Sequence, residues 1–263
     1  MTDYLLYDNK GKTVIGVSDK EMSYIDIPYG VTEIANIAFL GCINVESIDI
    51  PETVICIGEH AFRDCRKLKY LIIPPGVKEI KEYTFDKCAS LEEVIIKGEL
   101  EVIENAAFNE CSSLQSINLP SSCRYIEQFA FCGCNSLRKI NLPEGLIEIE
   151  EGTFADCDSL VEIDLSNVIH IGTRAFVCCR KLESIILPDT FEISLYAFDG
   201  CDEIKSVFIK SLDPIGNITM RGGDFFTKNV YKNATLFVPP GTRREYRNHP
   251  IFSNFTRIEV FDF

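Results

Sequence analysis

Phenylalanine followed three residues later by cysteine recurs eight times along this chain: Phe39/Cys42, Phe62/Cys65, Phe85/Cys88, Phe108/Cys111, Phe131/Cys134, Phe154/Cys157, Phe176/Cys179 and Phe198/Cys201. The step is 23 residues five times and then 22 twice. A repeat of this length constrains the fold more than any other feature. One unit of about 23 residues cannot bury its own apolar face, so copies must stack, and stacked copies make a solenoid.

Other columns keep the same step. Five residues before each Phe stands Ile34, Ile57, Ile80, Ile103, Ile126, Ile149, Ile171 or Ile193. The residue just before it is Ala in six copies and Thr in two, Thr84 and Thr153. Three residues after each Cys stands Val45, Leu68, Leu91, Leu114, Leu137, Leu160, Leu182 or Ile204, and a strand-like alternation follows, as in Ile117-Asn118-Leu119. Pro51, Pro74, Pro120, Pro143 and Pro188 close that alternation in five copies. Pro ends a strand because it cannot donate to the ladder. Each copy therefore predicts a strand, a turn, a second short extended piece and one tight turn around Phe-x-x-Cys. At ~4.8 Å per rung, eight coils predict a body roughly 40 Å long with a continuous parallel sheet along one side.

The ends differ, as a stack of repeats requires. Residues 1–24 predict a hairpin cap with its turn near Asn9–Gly11, covering the open edge of the first coil. Residues 25–212 form the solenoid, opened by a half repeat (Tyr24–Ile34) that lacks a Phe-x-x-Cys. The register breaks after Leu212, and residues 213–263 predict an irregular loop, "DPIGNITMRGGDFF", followed by a strand–helix–strand cap. Thr242 and Glu245 have capping-box spacing for that helix, and Pro250 stops it. The whole is expected to be a single domain.

The unit I-x-x-x-A-F-x-x-C-x-x-L-x-x-I-x-L-P resembles the BspA-like leucine-rich repeat. The resemblance covers residues 25–212 through the repeat and extends through the closing segment "ATLFVPPGTRREYRN". It implies a β-rich, α/β-type leucine-rich repeat solenoid, an open, curved, right-handed coil of eight repeats. It also implies adhesion or protein binding, usually at the cell surface, and no catalytic residues.

A net charge of -14 argues against nucleic acid or an anionic membrane surface as partner. No stretch reaches the length of a membrane span. The first 30 residues hold only "YLLY" as an apolar run, with no basic region ahead of it, so no secretory signal is expected. Together with 12 cysteines of no obvious pairing, this sets a cytosolic scaffolding protein as the alternative to a surface protein.

The cysteine column forms a line, whereas metal ligands converge on a point, so neither a metal nor a cofactor is expected. Neighbouring column cysteines could approach the ~4.4–6.8 Å Cα separation of a disulfide, but parallel side chains give a poor torsion. The thiols therefore read as small apolar fillers with a weak donor. Cys56, in the column Glu33, Cys56, Glu79, Val102, Tyr125, Glu148, His170, Glu192, stands out as an exposed thiol. His60, His170 and His249 lie in unrelated places, and no hydrolase, phosphate-loop or zinc-protease motif is present, so an enzyme is not expected and a hidden site remains the remote alternative. "RGGD" (Arg221–Asp224) reads as a flexible loop, and Asn217, Asn233 and Asn254 head glycosylation-type triplets.

Function is expected where the frame is fixed and the residues vary. One outward strand column runs Asp49, Ile72, Ile95, Asn118, Asn141, Asp164, Ile186, Phe208, and a second, two residues earlier, runs Ser47, Tyr70, Glu93, Ser116, Lys139, Glu162, Ser184, Ser206. Adjacent strands of a solenoid present such columns as a regular array for a partner. Tyr70, Ile72 and Ile95 predict one exposed apolar spot, and Ile186 with Phe208 another. The expected ligand is a protein, or a glycan, bound by a monomer.

Overall fold

The computed structural model describes residues 4–221 and 224–262. The chain winds as a parallel β-solenoid of about 11 turns. The eight Phe-x-x-Cys copies are its middle, and the further turns come from segments that keep the path without the motif.

One side carries the longer strands. Tyr24–Asp26, Ser47–Asp49, Tyr70–Ile73, Glu93–Ile96 and Ser116–Ile117 pair in parallel in that order. Glu162–Asp164, Ser184–Leu187, Ser206–Ile209, Thr235–Val238 and Arg257–Val260 do the same. The expected continuous sheet is thus two five-stranded ladders. Between them Lys139–Asn141 forms no named strand: its bridge to the preceding coil is Asn118↔Asn141, and it makes no strand pair with Glu162–Asp164. Two-residue strands such as Glu79–Ile80, Val102–Ile103 and Tyr125–Ile126 build a second parallel ladder on an adjoining side.

The Phe turn makes the third side, and its backbone is unusual. The residues two before and two after each Phe have positive φ, as with Tyr83 at 53° and Lys87 at 63° around Phe85. Left-handed backbone costs an L-residue roughly 1–2 kcal/mol. It is offset here because the twisted peptides aim their N–H groups along the solenoid axis. The N–H groups of Tyr83, Phe85 and Lys87 donate to the carbonyls of Asn105, Ala107 and Asn109 in the next coil, at 3.0, 2.8 and 2.8 Å. Coils are therefore hydrogen-bonded to their neighbours along the Phe turns as well as along the two strand-bearing sides.

The core is a set of ladders. From Phe39 to Phe198 successive rings stack at 5.1–5.5 Å between centroids. The repeated Ile and the Leu after each Cys are buried beside them. Full burial of each such side chain contributes about 1.5–3 kcal/mol. The small residue before Phe is also buried, and where it is Thr its hydroxyl finds a local acceptor: Thr84 Oγ1 donates to the Lys81 carbonyl at 2.7 Å.

At the start, Leu5–Tyr7 pairs antiparallel with Thr13–Val17, which pairs in parallel with Glu33–Ile34. At the other end two expectations are corrected. Residues 213–221 and 224–226 do not form the expected irregular loop. Asp213 caps a short helix, Pro214–Asn217, and Ile218–Arg221 then pairs with Phe191–Ser194. Phe226 extends the aromatic stack, 5.4 Å from Phe198. This is one more coil, hidden from the repeat because Phe225-Phe226 replaces Ala-Phe and no cysteine follows. Gly222 and Gly223 of "RGGD" lie outside the described residues. The capping box is also absent: the Thr242 hydroxyl donates to the Pro239 carbonyl at 2.8 Å and makes no cap bond to the helix Arg243–Asn248. The helix is seated instead by Tyr246, fully buried, whose hydroxyl donates to the Ser211 carbonyl at 2.9 Å. His249 follows it, buried, with Nδ1 accepting from the N–H groups of Ile251 and Phe252.

Candidate functional site: the strand face

Strand alternation sends every second side chain outward, and parallel register lines these up across coils. Tyr24, Ser47, Tyr70, Glu93 and Ser116 fall in one row, and Asp26 pairs with Asp49 and Ile72 with Ile95 in the row beside it. Tyr70, Ile72 and Ile95 are 52, 46 and 42% exposed and form a contiguous apolar spot. Tyr24, 45% exposed, belongs with them. It and Asp26 were not singled out from the sequence because they sit in the half repeat, yet "YID" keeps the strand register one step ahead of Ser47.

The tyrosines are held in place. Tyr24 Oη donates to Asp49 Oδ2 at 2.6 Å, and that bond pushes the phenol up to about 12. Tyr70 Oη donates to Glu92 Oε2 at 3.4 Å. Only Ser47 and Tyr70 pair between their two strands, so the ladder opens beyond them, leaving a hollow of about 320 Å³ lined by Asp49, Glu52, Tyr70, Ile72, Pro74 and Lys97, among others.

The middle of the face is polar. Asn118 and Asn141 meet at the isolated bridge, and Lys139 Nζ pairs with Glu162 Oε1 at 2.8 Å across the break in the sheet. Both ends of that pair are well exposed, which limits it to about 0–1 kcal/mol. A cleft of about 300 Å³ follows the break, with Asn141, Asp164 and Ser184 among its walls. Asp164 accepts from the backbone N–H and the hydroxyl of Ser166.

The second apolar spot is not where it was expected. Ile186 and Phe208 are half-buried, and Phe208 stacks on Phe237 at 4.6 Å with Phe261 edge-on at 5.2 Å. The closing strands continue the face past Phe208 and cover it. Cys56 is likewise half-buried, not exposed.

The remaining candidates separate. His60 stacks on Tyr83 at 5.0 Å, His170 is exposed on the second ladder, and His249 is buried in the cap. Among the described residues no group of three His, Cys, Asp or Glu side chains is placed to hold a metal ion. No described helix is long and apolar enough to cross a membrane. All 12 cysteines carry free thiols. Seven column thiols donate to the carbonyl of the Phe in the preceding coil, at 3.0–3.4 Å. Burial pushes the Cys65, Cys88, Cys111, Cys134, Cys157 and Cys179 thiols up, far from the thiolate form a nucleophile or ligand needs.

Comparison with known proteins agrees with this architecture. The model of the BspA type leucine-rich repeat region matches residues 18–126 and 101–223, in six copies. A leucine-rich repeat protein of T. pallidum is 31% identical, with 69% of this chain and 89% of that one covered, at a TM-score of 0.63. One from Bacteroides ovatus is 25% identical over 99% of this chain and 76% of that one, at 0.70. No curated protein matches the sequence.

Proposed function

The chain belongs to the BspA-type leucine-rich repeat family, and from that premise we propose that it is a non-enzymatic binding module that holds a partner protein on its strand face, as an adhesion-type protein at the cell surface. Proteins built from leucine-rich repeats generally bind other proteins. The observation that carries the choice of face is the exposed group of Tyr70, Ile72 and Ile95 in two neighbouring rows, flanked by polar side chains in fixed register. Large apolar groups presented together on rigid strands are the usual mark of a contact surface.

The test is retention of the native partner by the purified chain. Tyr70→Ala, or charge reversal at Lys139 and at Glu162, should weaken capture without lowering Tm. Capture unchanged by all three variants would overturn the strand face.

A second reading, a cytosolic scaffold, is favoured by the free thiols, which reducing compartments maintain. Fractionation of the native cells separates the two: recovery at the surface excludes the scaffold, and recovery in the cytosol excludes the adhesin.

A further inference from the structure

The strand face is not uniform, and its N-terminal half has a chemistry of its own. From Tyr24 to Asn118 its two outward rows contain three carboxylates, Asp26, Asp49 and Glu93, and no Lys or Arg. Among the described residues none of these three carboxylates is ion-paired, although seven ion pairs form elsewhere on the molecule. The carboxylates are exposed and stand beside the exposed rings of Tyr24 and Tyr70. Carboxylates with no cation beside them, set against preset tyrosine rings, suit a guanidinium, which is planar, stacks on aromatic faces and donates to two oxygens at once.

The spacing says what accompanies that cation. Asp26 and Asp49 are register partners, and so are Ile72 and Ile95. The centre of one pair lies two rungs from the centre of the other, about 9.6 Å at ordinary strand spacing and somewhat more where the ladder opens between Asp49 and Ile72. A polyproline-type segment rises about 3.1 Å per residue with three residues per turn, so its residues i and i+3 point the same way about 9.3 Å apart.

We propose that the N-terminal half of the strand face docks an extended, polyproline-type segment of a partner protein, its arginine between Asp26, Asp49 and the tyrosine rings and a large apolar side chain three residues away over Ile72 and Ile95. The hollow beside Tyr70 receives the rest of the segment. Lys97 is the cation on its rim and opposes a basic ligand. This inference rests on the strand face being the binding surface and names the class of partner it takes.

The probe is a fluorescein-labelled peptide containing Arg-Pro-Pro-Leu, titrated with the full chain and followed by anisotropy. Saturable binding is expected. It should weaken tenfold or more in the Asp26→Asn, Asp49→Asn double variant, and equally when the peptide's arginine is replaced by glutamine, an exchange that leaves the protein untouched. Lys97→Gln should tighten it. Glu79→Gln with Glu148→Gln, on the adjoining ladder, should change it less than twofold. No saturable binding, or an equal loss in that control pair, overturns the proposal, the latter by reducing it to general attraction toward a chain of net charge -14. If the peptide fails while Tyr70→Ala still releases the native partner, this inference falls and the strand face stands. If the peptide binds but the strand-face variants leave native capture unchanged, the broader reading falls instead.

Discussion

The Cys65 thiol donates a hydrogen bond to the carbonyl oxygen of Phe39, one coil back, at 3.3 Å. The same bond recurs up to Cys201 and Phe176 at 3.0 Å. The Phe carbonyl already accepts from the cysteine N–H of its own turn, as Phe39 does from Cys42 at 3.1 Å. The thiol supplies that buried oxygen with its second donor. The column cysteine is therefore a link between coils as well as a filler of the right size.

Removing that link has a definite cost. Cys111→Ala, in mid-stack, deletes the bond to Phe85 and should destabilise the fold by about 1–3 kcal/mol. Cys111→Ser keeps a donor and should recover part of the loss. Chemical denaturation of the two variants decides the point, since serine no better than alanine would mean that only volume matters.

Thiol accessibility gives an independent check. In the native protein the half-buried Cys56, Cys132 and Cys178 should react with a maleimide, and the nine buried cysteines only after unfolding. Burial pushes Cys132 up to about 11 and raises Cys178, which leaves little thiolate at neutral pH. Cys56 should label first at pH 7, with Cys132 and Cys178 accelerating as pH rises toward 9. Mass spectrometry showing rapid native labelling of a column cysteine would contradict the packed core.

Glu104, Glu127 and Glu150 occupy one position in three successive coils, and Glu104 and Glu127 accept backbone N–H groups from Glu82 and Asn105 at 2.9 and 3.0 Å. Burial, with repulsion from neighbouring glutamates, raises the pKa of Glu104 and of Glu150. A carboxyl whose pKa is raised on folding binds more protons in the native state, so its site loses stability as pH rises from the ordinary glutamate value of 4.5 through the folded value. Glu104→Gln with Glu150→Gln retains an acceptor oxygen and removes the repulsion. The pair should stabilise the protein at pH 7 by a few tenths to about 1 kcal/mol, with the gain shrinking toward pH 4.5. A gain independent of pH, or a loss at pH 7, would refute the electrostatic account.

Ile37 is held at a φ of 58°, a β-branched residue in left-handed backbone, and it is 56% exposed. Its packing does not offset the conformational cost. Ile37→Gly should therefore raise stability by about 1 kcal/mol, or roughly 2–4 °C in Tm for a chain of this size. A lower Tm would show that the side chain makes a contact worth more than the strain.

The solenoid was legible in the sequence because its cause is local and repeated. A unit of about 23 residues with Ile, Phe, Cys and Leu in fixed places has one way to bury them all, and eight copies state it eight times. What does not repeat had to be seen in three dimensions. The coil ending in Phe226 keeps the Phe but has Arg221, Phe225 and Asn229 where Ile, Ala and Cys would stand, and its strand pairing and its stacking on Phe198 identify it. Thr242 had the spacing of a cap but turned to the Pro239 carbonyl. The strand face was legible in part. Alternation marked Tyr70, Ile72 and Ile95 as outward, and they are. The same rule marked Phe208, which Phe237 and Phe261 cover, because exposure depends on what the rest of the chain lays over a strand.

By itself, then, the sequence determined the coil, its period and which columns face in, since burial of a periodic apolar pattern leaves little choice. The tertiary structure alone decided the left-handed turn residues, the break in the sheet at Asn141, and which outward residues stay uncovered and unpaired. The break and the covering arise from contacts between coils and from the closing strands, while the left-handed turns, though they recur in every copy, are held by hydrogen bonds to the next coil that no single repeat makes alone.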